Sequence, residues 1–425
     1  MAKPGRSFLL IAASSVLLLG AAACSTAATS APAKPAATPS ASSAAASPTK
    51  AATAATTSTP AAAAASSSSG EIRIGGLFSI TGAAAGQSPL YMNAAKLAVN
   101  QINAKGGING KKIDFVTEDT QSTDTGALAA LQRMIEIDKP LVILGPVFST
   151  QIQAMSNADK AAGIPMATGG TAVKNTHMGN PWIFRLRPDD SIAAAAMVKY
   201  IKEDMKLTKV GIIYSNEAFG QGGSNLVEQY AKEQGLTVVK KEGFTPGTKD
   251  YTAQLLAIKT AGAQVLVVYA AGSDDNAVIE QQYKNLGSPY QFMGNPGCVM
   301  QDSLKLAKNA AVGLHAVSDY MPGVTDVSKK YEAAYQKAYG QPADATAAYN
   351  YDAVNLFAKA IAAVGENRSK IMKYILGIHG TYEGAVGTFN FTPNGDGLHS
   401  NTVVQIEPND QLKFVKVVTL QPSNP

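Results

Sequence analysis

The chain has 425 residues, more than one hydrophobic core ordinarily serves, so two lobes or domains with appendages are expected. Its formal charge of +5 belongs to the first seventy residues: without Lys3, Arg6, Lys34 and Lys50, all of which precede the first acidic residue, Glu71, the charge is +1. No basic run in the remainder suits nucleic-acid binding, and two cysteines, Cys24 and Cys298, leave no internal disulfide in the fold and no Cys-rich metal site.

In chain order, Lys3 and Arg6 precede an apolar run from Phe8 to Leu19 that is too short to span a bilayer, which predicts a secretory signal over residues 1–23 and an exported protein. Ala21-Ala22-Ala23-Cys24 follows. It resembles the bacterial lipobox, although Ala21 stands where that pattern prefers leucine. The resemblance implies a lipid anchor at Cys24, holding the protein on the outer face of the cell membrane, while ordinary cleavage after the same small residues would release it. Residues 24–70 form the next segment. From Ser25 to Ser69 they are confined to Ala, Ser, Thr, Pro and Lys, with nothing able to stabilise a fold, and predict a disordered tether with a reach of roughly 35–40 Å.

Beyond Gly70, short β-branched runs alternate with amphipathic stretches. Strands are predicted at Ile72 to Phe78, Ile113 to Thr117, Leu141 to Leu144, Lys209 to Tyr214, Leu236 to Val239 and Gln264 to Tyr269. Between the first two, Leu90, Ala94, Leu97, Ala98 and Ile102 line one helical face that ends at Gly106-Gly107. Each half of this region carries a strand that breaks into a small polar loop, Gly145 to Thr150 in one and Ala270 to Asp275 in the other. The alternation predicts two similar α/β lobes of doubly wound parallel sheet, with ligands outside the carboxyl ends of the strands. Ala347, Tyr351, Val354, Ala358 and Ile361 mark a further helix. Thr402 to Ile406 and Leu412 to Val418 predict a hairpin about Pro408-Asn409-Asp410, so the tail can return to both lobes and make the hinge multi-stranded.

The order and spacing of several short motifs resemble the leucine/isoleucine/valine-binding family of periplasmic binding proteins over residues 71–425. They are Ile72-Arg73-Ile74-Gly75, Ser79-Ile80-Thr81-Gly82, the stretch from Val99 to Gly110, Asp119, Gly163-Ile164-Pro165, Tyr214 with Phe219-Gly220, Phe292-Met293-Gly294 and Asn394-Gly395-Asp396. The resemblance implies a type I periplasmic binding protein fold. One lobe is expected to comprise 71–187 plus about 318–386, the other 188–317 plus about 387–425. It also implies a small-molecule ligand held between closing lobes and delivered to an ABC permease served by a separate ATPase.

Ligand contacts are expected at Gln87, Phe148, Ser149, Gly169, Gly170, Thr171, Phe219, Asp275 and Asn295. Ser149 and Thr171 fall where the family offers hydroxyls to a ligand carboxylate, and Gly169-Gly170 where backbone approaches it. Ser149 should also begin a helix, whose unpaired amides and dipole favour an anion, or simply cap it. Pro296 stands where the family places a glutamate against the ligand's ammonium. Asp275 is the nearest substitute, although Ser273-Asp274-Asp275 also reads as an ordinary helix start. Ala83 to Gln87 and Gly272 replace positions that can carry aromatic residues, so a roomier pocket and an amino acid or related carboxylate or amide other than leucine are expected.

An exported hydrolase is disfavoured by the lack of a G-x-S-x-G elbow, and His177, His315, His379 and His399 have no metal-ligand spacing. No phosphate-cradling motif is present, so no cofactor is expected. Asn394-Gly395-Asp396-Gly397 reads as a turn rather than a calcium loop. The chain is expected to be a monomer and not an enzyme. Presentation of the closed state to a membrane receptor, rather than transport, is the alternative role. Cys298 is either a buried inert thiol or a reactive one.

Overall fold

A computed structural model describes residues 70–420; the signal segment, Cys24 and nearly all of the tether lie outside the described residues. The first strand, β1 (Ile72–Phe78), is buried along almost its whole length, because the sheet is covered on both faces. Helix α1 (Ser88–Ala104) starts with Pro89 in its first turn and stops where Gly106 and Gly107 take φ of 106° and 84°. A side chain at Gly107 would also collide with the backbone of Lys111, so glycine is required there twice over. There follow β2 (Ile113–Asp119), α2 (Asp124–Arg133), β3 (Val142–Leu144), α3 (Ser149–Ala162), β4 (Met166–Thr168), α4 (Lys174–His177) and β5 (Ile183–Arg185). The five strands form a parallel sheet ordered β2-β1-β3-β4-β5. Alternate residues face opposite cores: Ile74 and Leu144 pack with Phe184 on one side, Leu77 and Ile143 with Met166 on the other.

After the first crossing the second lobe runs α5 (Asp190–Glu203), β6 (Lys209–Ser215), α6 (Ala218–Glu233), β7 (Thr237–Phe244), α7 (Thr252–Thr260), β8 (Val265–Tyr269), α8 (Ser273–Asn285), β9 (Gln291–Gly294), α9 (Gln301–Ala307) and β10 (His315–Ser318). The chain then returns to the first lobe through α10 (Asp326–Tyr339), α11 (Ala345–Val364), α12 (Arg368–Leu376) and the ribbon of β11 (His379–Glu383) and β12 (Thr388–Asn390). It ends in the second with the antiparallel pair β13 (Ser400–Glu407) and β14 (Gln411–Thr419). The second sheet is ordered β14-β13-β10-β9-β8-β6-β7, parallel from β10 to β7. Here too Val265 and Val267 face one core and Leu266 and Val268 the other. The fold is the expected pair of parallel-sheet α/β lobes joined by several chain crossings.

Most strand ends shift by one or two residues, and two boundaries differ by more. Strand β7 continues to Phe244 because an edge strand tolerates Lys240, Lys241 and Glu242, whereas a β-branched run ends at Val239. The third crossing falls just before Ser400 rather than near 387. Phe389, Phe391 and Leu398 share the core of Phe184, and Gly395 and Gly397 bond the two sides of Arg185 through its amide and carbonyl.

Two buried arginines tie the crossings together. Arg185, wholly buried, meets Asp396 of the tail, which also accepts from Thr176 Oγ1 at 2.8 Å and lies 2.8 Å from His177 Nε2. Burial opposes ionisation of Asp396, but Arg185, His177 and Thr176 outweigh it and hold the carboxyl below the usual range. The Asn394-Gly395-Asp396 turn is therefore part of the hinge. Arg187, on the first crossing, pairs with Asp319 on the second and donates to Gly169 O at 2.9 Å. Cys298 is buried against Asn276, and burial, helped by Glu280, pushes its thiol up, so the reactive alternative finds no support.

Candidate functional site

The carboxyl ends of the two sheets face one another across a cleft enclosing about 530 Å³ of space, the mouth included. The two small polar loops meet there: Val147, Phe148 and Ser149 after β3, and Ala270, Ala271 and Ser273 after β8. Of the residues expected from sequence, Gln87, Phe148, Ser149, Thr171 and Phe219 line this space. Each follows the carboxyl end of a strand: Gln87 follows β1, Phe148 and Ser149 follow β3, Thr171 follows β4, and Phe219, in the first turn of α6, follows β6.

Ser149 occupies the first turn of α3 and does not cap it; Phe148 holds the cap position, and no side chain bonds the first amides. The Ser149 hydroxyl instead accepts from Ala172 N at 3.2 Å and from Asn175 Nδ2 at 3.1 Å. A hydroxyl has two acceptor lone pairs and one proton. Both lone pairs are used, so the proton remains to be donated. The helix amides and dipole beside it favour a negatively polarised partner.

Gly169 and Gly170 do not line the cleft. A side chain at Gly169 would collide with the Tyr349 ring, and one at Gly170 with Ile152, so these glycines permit the loop to pack inward. Asp275 also faces away. Its carboxylate accepts from Tyr251 OH at 2.6 Å and Gly247 N at 3.0 Å, on the far side of the α8 terminus, and burial pushes its pKa up. Asn295 is fully buried: it donates to Ala270 O at 3.0 Å and accepts from Gly297 N, fixing the turn that carries Pro296 and Gly297 to the cleft wall.

The cleft contains groups that sequence patterning missed. Tyr91, one turn into α1, supplies an aromatic ring on the first-lobe side, where Ala83 to Gln87 had implied none. Its hydroxyl, whose pKa burial raises, donates to Gln87 Oε1 at 2.8 Å, and Gln87 Nε2 donates to Ser273 Oγ of the opposite lobe at 2.8 Å. The Gln87 and Tyr91 pair stands at i and i+4, a spacing that marks one helical face. Met300 and Thr346 complete the floor, with Thr346 Oγ1 3.5 Å from the Met300 sulfur across the lobes.

Two charged side chains border the cleft, Arg187 at its hinge end and Glu217 in the second lobe. Burial works against the Arg187 charge, and Asp319 more than restores it, so its pKa is raised. The alternation Arg185-Leu186-Arg187 after an apolar strand was the signal for a pair of buried cations. Glu217 precedes α6 and accepts from Phe219 N at 2.8 Å and Gly220 N at 2.7 Å. Among the described residues, no group of three or more His, Cys, Asp or Glu side chains could hold a metal ion, and no helix is long and apolar enough to cross a membrane.

Comparison with known proteins places these features in context. The family model described as "Periplasmic binding protein" matches residues 71–411. An "Amino acid binding protein" of Pseudomonas aeruginosa is 28% identical over 295 residues, covering 68% of this chain and 77% of that protein. The "Leucine-, isoleucine-, valine-, threonine-, and alanine-binding protein" of the same organism is 26% identical over 321 residues, covering 75% of this chain and 84% of its own length. Among solved structures, a leucine binding protein, LivK, from Thermotoga maritima superposes with a TM-score of 0.76 at 25% identity, covering 82% of this chain and 99% of that one.

Proposed function

Because this chain belongs to the periplasmic binding protein family, we propose that its lobes close on a small polar solute, an amino acid or a related carboxylate or amide, and deliver it to an ABC importer. The family binds solutes and is not enzymatic, which removes the exported hydrolase from consideration. Capture between lobes requires a ligand that contacts both and prefers the closed arrangement.

The observation that carries this reading is the Ser149 hydroxyl, which accepts two hydrogen bonds from within the first lobe and has its proton left for an acceptor in the cleft. Thr171 and the start of α3 border the same end. Isothermal titration with the twenty common amino acids and their amide and carboxylate relatives should find a binder, and Ser149→Ala should weaken it by about 1.5–3 kcal/mol if the acceptor is charged. Undiminished affinity in Ser149→Ala for every binder would move the site elsewhere.

Extracytoplasmic placement follows from the family. For attachment, we read Cys24 as the lipidated residue and the following tether as the spacer that lets a monomeric binding unit reach its permease. Cys24→Ala should abolish lipid labelling and detergent-phase partitioning; retention of both would exclude the anchor.

A further inference from the structure

We propose that Glu217 receives a cationic group of the ligand, so that the cleft selects solutes bearing an ammonium opposite their acceptor end; this rests on the reading of the cleft as the solute site. The two charged side chains bordering the cleft are Arg187 and Glu217, and Arg187 is neutralised by Asp319. Glu217 has no Lys, Arg or His partner among the described residues, so its formal charge is the one that the cleft leaves uncompensated.

The hydrogen bonds of Glu217 single out one oxygen of its carboxylate. A carboxylate offers about four acceptor sites. Oε1 uses two, accepting from Gly220 N and from Ser215 Oγ, both at 2.7 Å, whereas Oε2 uses one, accepting from Phe219 N at 2.8 Å. The three bonds fix the carboxylate's orientation and leave one acceptor site on Oε2. Ser149 makes the complementary arrangement on the opposite lobe, a 3% exposed hydroxyl bordering the same cleft with both lone pairs used and its proton free. One lobe offers a donor, the other an anion.

A purely local role for Glu217 as the cap of α6 explains less. Asp, Asn, Ser and Thr are the preferred capping residues, and glutamate is not among them. Its longer side chain performs the cap while still bordering the cleft. The other acidic candidate, Asp275, is turned to Tyr251 and Gly247, and Pro296 brings no charge to the wall it lines.

The test uses isothermal titration of the full processed protein with the twenty common L-amino acids and the matched acids lacking the α-amino group. In the wild type an amino acid should bind, and its desamino counterpart about 10- to 100-fold more weakly. Glu217→Gln should lose a similar factor for the amino acid and little for the desamino acid. Glu217→Ser, which retains a capping hydroxyl without the charge, should lose the same factor, and thermal melts of both variants should show that they fold. Equal wild-type affinity for the two members of a pair, or equal losses of both in the folded variants, would overturn the assignment of Glu217 while leaving solute binding intact. Binding of no probe by the wild type would instead sink the solute-site reading, and this inference with it.

Discussion

Gln87 of the first lobe donates from Nε2 to Ser273 Oγ of the second at 2.8 Å, and its Oε1 is held by Tyr91 OH at the same distance. Both ends of the amide are thus engaged within the protein. Gln87, on the cleft wall, also fastens one lobe to the other.

Gln87→Ala should therefore shift the protein toward open forms. A net contribution of about 0.5–1.5 kcal/mol for one neutral hydrogen bond corresponds to roughly a 2- to 12-fold change in the closed-to-open ratio. Small-angle scattering or interlobe energy transfer would register it as expansion, and ligand affinity should fall by the same factor. Identical scattering profiles for wild type and variant would show that the bond does not bias closure.

Asp275 behaves oppositely. Asp275→Ala leaves the fully buried Tyr251 hydroxyl and the Gly247 amide without their acceptor, and should lower stability by about 1–3 kcal/mol in urea denaturation. Ligand affinity should stay unchanged, because the carboxylate does not border the cleft. A marked loss of affinity in the folded variant would return Asp275 to the site.

The hinge ion pair has a larger expected effect. Asp396→Asn removes the nearer of two carboxylates facing the wholly buried Arg185, leaving Asp189 at 3.6 Å, and should cost up to about 3–5 kcal/mol. Because the folded Asp396 carboxyl is held below its ordinary value, its stabilisation is present above the unfolded carboxyl's pKa and is lost as pH falls through the folded one. Denaturation midpoints measured on descending from neutral pH should converge for wild type and variant.

Glu280 should produce a slope of the other sign. It is completely buried in the second lobe, and burial pushes its carboxyl from 4.5 to about 8. The folded state then binds a proton that the unfolded state releases, so stability is fully present below about pH 4.5 and falls, by up to about 1.4 kcal/mol per pH unit, as pH rises towards 8. Glu280→Gln should flatten that part of the profile. Parallel pH profiles for the two proteins would show that Glu280 is not the source.

The strands legible in the sequence were runs of four or more residues dense in β-branched or apolar side chains, such as Ile72–Phe78 and Val265–Tyr269. The three-residue strands Met166–Thr168 and Ile183–Arg185 are too short to display a period and exist because neighbouring strands pair with them. At the site, polar loops after strands carry Ser149 and Thr171 to the cleft wall. Gly169, Gly170, Asp275 and Asn295 lie off that wall for one common reason. Composition identifies a loop, but the way each residue faces depends on partners distant in sequence, the Tyr349 ring packed on Gly169 and the Tyr251 hydroxyl bonded to Asp275. Tyr91 and Glu217 were hidden by the converse effect, since each satisfies an ordinary helical role while also bordering the cleft.

The three crossings of the hinge also constrain how the chain can acquire its structure. Each lobe draws its core from segments far apart in sequence: Phe184 packs with Phe357 and Phe391, and Val210 and Val267 share a core with Val403 and Val418. A polypeptide emerging amino-terminus first cannot complete the first core until Leu398, or the second until β14, has appeared, and closing such long loops makes folding slow. For an exported protein that delay is useful, because a chain that stays loose until its final residues are made remains threadable through a narrow translocation channel.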